Sequence, residues 1–142
     1  MRSLCLAPAL FFLVALAATA DARTCTGKDA EVADAAIDHL DTWADVDSNF
    51  RKYGHCDDGS IAEGNSESVA RLLVDKWKTL SQLEALIKRH PALKAYVLRH
   101  IDTTLNTDDL KRIVELSTSS CPEDSKPLCV SLKAAAVKAS QQ

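Results

Sequence analysis

Between Asp29 and Tyr53 apolar side chains recur every three or four positions, at Val32, Ala36, Leu40, Trp43, Val46, Phe50 and Tyr53. This spacing lines them along one face of an α-helix, and that face must be buried against other elements. Asp29, Glu31 and Asp34 near the beginning, with Arg51 and Lys52 near the end, complement a helix dipole, and Gly54 is a suitable stop. The stretch predicts one straight helix of about 25 residues.

The same period continues along the chain. Ser60 with Glu63 reads as a capping box opening a second helix, whose buried face comprises Ile61, Val69, Leu72, Leu73, Trp77 and Leu80. Gly64 in its first turns costs about 1 kcal/mol relative to Ala, which implies close approach of another backbone or of a partner, or else a helix that begins later, at Ser66. Ser81 with Glu84 opens a third helix, closed by His90 and Pro91, and Pro91 in turn suits the first turn of a fourth that buries Leu93, Tyr96, Val97 and His100 or Ile101. Thr107 caps a fifth, with Leu110, Ile113 and Val114 inward, and residues 127–139 form an alanine-rich final helix. No segment alternates with period two, and four glycines leave few hairpin turns. The expected class is therefore all-α, a compact bundle of five or six helices stabilised by disulfides.

The first 22 residues read as a secretory signal peptide: Met1 and Arg2, an apolar run from Leu4 to Leu16, then Ala18, Ala20 and Ala22. Cleavage after Ala22, with Ala20 as the alternative, leaves residues 23–142 as a single domain in the periplasm or secreted medium. The apolar run falls short of the roughly 20 residues that span hydrocarbon, and no later segment is more apolar, so no membrane insertion is expected after cleavage.

With Cys5 in the leader, the mature chain keeps Cys25, Cys56, Cys121 and Cys129, an even number that predicts two disulfides in an oxidising compartment. No C-x-x-C pair or nearby histidine completes a zinc site. A straight first helix holds its ends roughly 37 Å apart, whereas bonded cysteines need Cα atoms within about 7 Å. The expectation is that Cys25 cannot reach Cys56, so each bonds a C-terminal cysteine; a break in the helix near Asp45 to Ser48 would make a local Cys121–Cys129 bond the substitute.

The net charge of −3 is spread over interspersed residues of both signs, without a basic block or basic helix face. Nucleic acid and anionic membrane surfaces are thereby excluded as expected partners. Asp45, Asp47 and Asn49 imitate the start of a calcium loop but have Phe50 where Gly is needed and Cys56 where Glu is needed, and their spacing fits the exposed face of the first helix. His39, His55, His90 and His100 share no ligand spacing, and no G-x-S-x-G elbow occurs. Neither a metal, a cofactor nor a catalytic residue is assigned.

The densest functional pattern is Tyr53 to Trp77, where glycines bracket carboxylates at a helix entrance. Asp57, Asp58 and Glu63 beside His55 could form an acid and base group of a hydrolase, or a cation site, but adjacent aspartates point in different directions. The favoured expectation is a protein-contact surface made of Asp57, Asp58, Gly59, Glu63, Gly64 and Ser66; a self-associating envelope scaffold is a third reading.

The residues Cys56, Asp57, Asp58, Gly59, Ile61, Ala62, Glu63, Gly64 and Ser66, leading to Trp77, resemble a family of small exported bacterial proteins without an established activity. The likeness extends over most of the mature chain. In architecture, a leader followed by a disulfide-bearing helical domain also resembles periplasmic immunity proteins that block amidase toxins of type VI secretion. That resemblance implies a binding protein of inhibitory type, without carrying any inhibitory residue onto this chain.

Overall fold

A computed structural model describes residues 23–142, and the leader assignment and its cleavage site lie outside them. Among the described residues there are seven α-helices and no strands: α1 (Gly27–Ile37), α2 (Trp43–Tyr53), α3 (Gly59–Asp75), α4 (Leu80–Arg89), α5 (Ala92–Arg99), α6 (Thr107–Ser119) and α7 (Lys126–Ala139). Short 3₁₀ turns at Gly54–Cys56, Trp77–Thr79 and Glu123–Ser125 join α2 to α3, α3 to α4 and α6 to α7. No helix among the described residues is long and apolar enough to cross a membrane.

The expected first helix is two. His39 and Leu40 donate to the carbonyls of Ala36 and Ile37, which tightens and ends α1. Thr42 then restarts the chain with a capping box of its own: its hydroxyl accepts from Asp45 N at 3.2 Å, and Asp45 Oδ2 accepts from Thr42 N at 2.9 Å. The apolar period hides this break because Leu40 remains buried in the main core although it lies in the connection.

The break overturns the expected disulfide pairing. Cys25 bonds Cys56, with Cα atoms 4.9 Å apart, and Cys121 bonds Cys129 at 6.2 Å. With the rod folded at residues 38–42, α1 returns along α3 and brings Cys25 to the end of α2. The local Cys121–Cys129 bond closes the turn around Pro122, the substitute expected for a broken helix, although the break falls at residues 38–42 and Asp45 to Ser48 lie inside α2.

Three helix starts also differ from expectation. Asp58 is the N-cap of α3, and its carboxylate accepts from Gly59 N, so Ser60 lies inside the helix rather than capping it. Gly59 has φ 53°, a left-handed conformation that favours glycine. Asn106, not Thr107, caps α6 by accepting from Asp109 N. α4 follows directly from the 3₁₀ turn, without a side-chain cap from Ser81.

The main core runs through α2 to α7, with Trp43, Leu72, Leu73, Leu83, Leu93, Tyr96, Ile113 and Leu132 almost wholly buried. Both tryptophans belong to it and satisfy their indole N–H groups, Trp43 to Thr79 Oγ1 at 3.0 Å and Trp77 to Ser120 O at 2.8 Å. α1 contributes to a separate, smaller cluster in which Ala33 meets Cys56 and Ile61, flanked by Ala30, Ile37 and Tyr53. Gly64 is required by this packing: a Cβ there would lie 2.6 Å from Ile37 Cδ1 and 2.9 Å from its Cγ2.

Gly64→Ala is expected to lower stability by about 1 to 2 kcal/mol, the overpacking cost exceeding the gain in helix propensity. Urea unfolding checks this, and Ile37→Ala should remove most of the penalty in the double variant; a neutral or stabilising Gly64→Ala contradicts the packing.

Candidate functional site

The carboxylates of Asp57 and Asp58 are adjacent in sequence and opposite in role. Asp58 is exposed at the helix entrance, whereas the Asp57 side chain is only 3% exposed. Asp57 Oδ2 accepts from Arg99, at the end of α5, and from His100 Nε2 at 3.1 Å, while Oδ1 accepts from Asn65 Nδ2 at 3.0 Å. Burial alone would push this carboxyl up, but the hydrogen bonds from His100, Arg99 and Asn65 and the charge of the imidazole outweigh it and hold the group at about 2.

His100 carries the network onward. Its Nδ1 lies 2.9 Å from Ser66 Oγ, which in turn lies 2.8 Å from Asp102 Oδ2 and 3.0 Å from the Ala62 carbonyl one turn earlier. When the ring is protonated, both its N–H groups have acceptors, and Ser66 passes its own proton toward Asp102. Asp102 is anchored by Thr104, whose N–H and hydroxyl donate to Oδ1 at 2.8 and 2.6 Å. Burial raises the Asp102 carboxyl, yet these bonds, that of Ser66 and the His100 charge bring it below the usual carboxylate range. Tyr96 closes one side of the network, edge-on to His100 and beneath Arg99; burial and the Asp57 charge push its phenol up against the opposing effect of Arg99.

Ser66, His100 and Asp57 are the residue types of a nucleophilic triad, but their placement does not serve one. Ser66 is 1% exposed and His100 2% exposed, and the serine oxygen is already engaged with Asp102 and a carbonyl. The expected hydrolase group is not assembled either, since His55 lies 3.5 Å from Asp29 while Asp57 is held by His100 and Arg99. Among the described residues no group of three His, Cys, Asp or Glu side chains is arranged to hold a metal ion.

Of the residues expected to form a contact surface, Asp57 and Ser66 are therefore turned inward and cannot meet a partner directly. Asp58, Gly59 and Glu63 are exposed and Gly64 is half-buried. Glu63 and Gly64 line a groove of about 490 Å³ between the first turns of α3 and the α5–α6 connection. Ser60 and Glu67 complete its α3 wall, and Thr104, Leu105, Asn106 and Asp109 form the other. Glu63, Glu67 and Asp109 give it three carboxylates, and none of its lining residues is a Lys or Arg. The buried network shapes this groove because Ser66 and Asp102 tie its two walls together.

Asn49, Asn65, Arg99, His100 and Asp102 were not grouped by sequence spacing. Asn65 lies four residues from both Ile61 and Val69, so a polar side chain on an apolar stripe was the available signal. Asn49 and Asp47, expected on an exposed face, are instead 7% and 5% exposed. Asn49 donates to Asn65 Oδ1 at 3.3 Å, and Asp47 accepts from His90 Nδ1 at 2.9 Å, which gives His90 a partner beyond the α4 dipole.

Compared with known proteins, the chain significantly matches no family model, no curated protein and no solved structure. The class is thus structural: the described residues form an all-α domain of seven helices and two disulfides, with an acidic groove braced by a buried carboxylate network.

Asp57→Asn is expected to cost about 2 to 3 kcal/mol at pH 7, because it leaves the Arg99 and His100 N–H donors without their carboxylate. The folded carboxyl of Asp57 titrates at about 2, below the unfolded value of roughly 3.9. Its contribution to stability is accordingly full above about pH 5 and lost as pH falls toward 2. Urea unfolding of wild type and variant should converge across that window; a pH-independent difference contradicts the role of this charge.

Proposed function

We propose that the protein is an exported helical binding module whose acidic groove receives a basic segment of a partner protein. The observation that carries this reading is the groove itself, with Glu63 and Glu67 exposed on one wall, Asp109 on the other and no cation among its lining residues. A Lys or Arg side chain entering between the walls meets carboxylates from two directions, and its aliphatic stem can rest on Leu105. Asp58 and Gly59 lie at the adjoining helix entrance and extend the surface without a bulky obstruction.

The role is that of an inhibitor or immunity factor, which acts by occupying a partner and needs no turnover or cofactor. Two disulfides support residence in an oxidising compartment, the periplasm or the secreted medium. The leader-like residues 1–22 supply the route there.

Tagged mature wild type and a Glu63→Gln/Glu67→Gln variant of matched circular dichroism serve as baits for envelope proteins at low and high salt. A partner held near stoichiometry by wild type should bind the variant about tenfold more weakly at low salt, with the difference shrinking as salt screens the charges. Equal retention by both baits would move the contact surface away from this groove.

A further inference from the structure

The helix α1 is held differently from the other six. Its only almost wholly buried side chain, Ala33, belongs to the small cluster with Cys56 and Ile61, while the main core is built from the rest of the chain. Beyond its C-terminal end, the connection is fixed: Leu40 is 3% exposed, and Lys76 Nζ donates to the Asp41 carbonyl at 2.7 Å. At its N-terminal end the covalent tie is the Cys25–Cys56 bond, with Cys25 on the surface and Cys56 buried.

We propose that α1 is a redox-latched strap, released from the flank of α3 when the Cys25–Cys56 disulfide is reduced, while α2 to α7 stay folded. The reductant is a dithiol. Its thiolate attacks exposed Cys25 Sγ, the sulfur–sulfur bond breaks, and Cys56 leaves as a thiolate that takes up a proton. The second thiol of the reductant then attacks the mixed disulfide and releases Cys25 as a thiol. Two electrons pass to the protein, and the reductant ends as a disulfide.

Release follows from what remains to hold α1. An 11-residue helix is too short to persist alone in water. The residual packing is the Ala33 cluster, the fit of Ile37 against Gly64, and the 3.5 Å approach of His55 to a partly exposed Asp29. Residues 38–42, anchored by Leu40 and Asp41, supply the hinge. Release uncovers Ile61 and the Ile37 contact at Gly64, and Gly64 also lines the acidic groove. The strap thus controls an apolar strip beside that groove, an inference that stands on the packing of α1 and not on the binding reading.

Hydrogen exchange of the full mature chain tests it, comparing wild type, Cys25→Ser/Cys56→Ser and Cys121→Ser/Cys129→Ser, together with wild type incubated in dithiothreitol. Amides of residues 30–37 should exchange at least about tenfold faster in Cys25→Ser/Cys56→Ser and in reduced wild type, while those of α3 and α6 stay within about twofold. The Cys121→Ser/Cys129→Ser variant should leave residues 30–37 protected. Wild-type protection of α1 without the Cys25–Cys56 bond would overturn the proposal, as would an equal rise in every helix, which would make the bond a staple of the whole fold.

Discussion

A buried carboxylate with three kinds of donor is the interaction on which much of this structure depends. Asp57 leaves the 3₁₀ turn after α2 and receives Asn65 from α3 and Arg99 and His100 from the end of α5, so one side chain ties together segments that are distant in sequence. Isolated burial of that charge would be unfavourable by several kcal/mol. With both oxygens occupied, the penalty is offset and the polarity of the surrounding groups is fixed. Asn65 must present its amide nitrogen to Asp57, which turns its oxygen toward Asn49. His100 must present Nε2–H, which leaves Nδ1 for Ser66.

This hub also explains how a surface groove can be shaped from inside. Ser66 lies one turn beyond Glu63 on α3, and Asp102 lies just before Thr104 in the opposite wall. Their hydrogen bond links the walls beneath the rim, and the Asn106–Asp109 cap fixes the start of α6 beside it. The exposed carboxylates are therefore mounted on positioned backbone, which limits the entropy lost when a partner binds.

Helix content was legible because packing and period coincide: the stripes containing Leu72, Leu83, Leu93 and Ile113 are the stripes that are buried. The break between α1 and α2 was masked by Leu40, which keeps its place in the apolar series while the backbone around it leaves the helix. The Thr42 and Asp45 capping pair was the local sign of that break. Since the disulfide argument rested on a straight rod, its failure follows from the same five residues. At the site, the pattern set the start of α3 at Ser60 where Asp58 is the cap, and it could not separate Asp57 from Asp58, because which of two adjacent aspartates is buried depends on Arg99 and His100, some forty residues away. Long-range polar contacts leave no periodic trace.

The most direct measurement is the carboxyl carbon titration of Asp57 and Asp58 by NMR in the folded mature protein. The account predicts that Asp57 titrates at about 2 while the folded fingerprint of His100 and Asn65 persists above that pH. An Asp57 carboxyl titrating near the ordinary value of roughly 3.9 would contradict the hub, and with it the bracing of the groove.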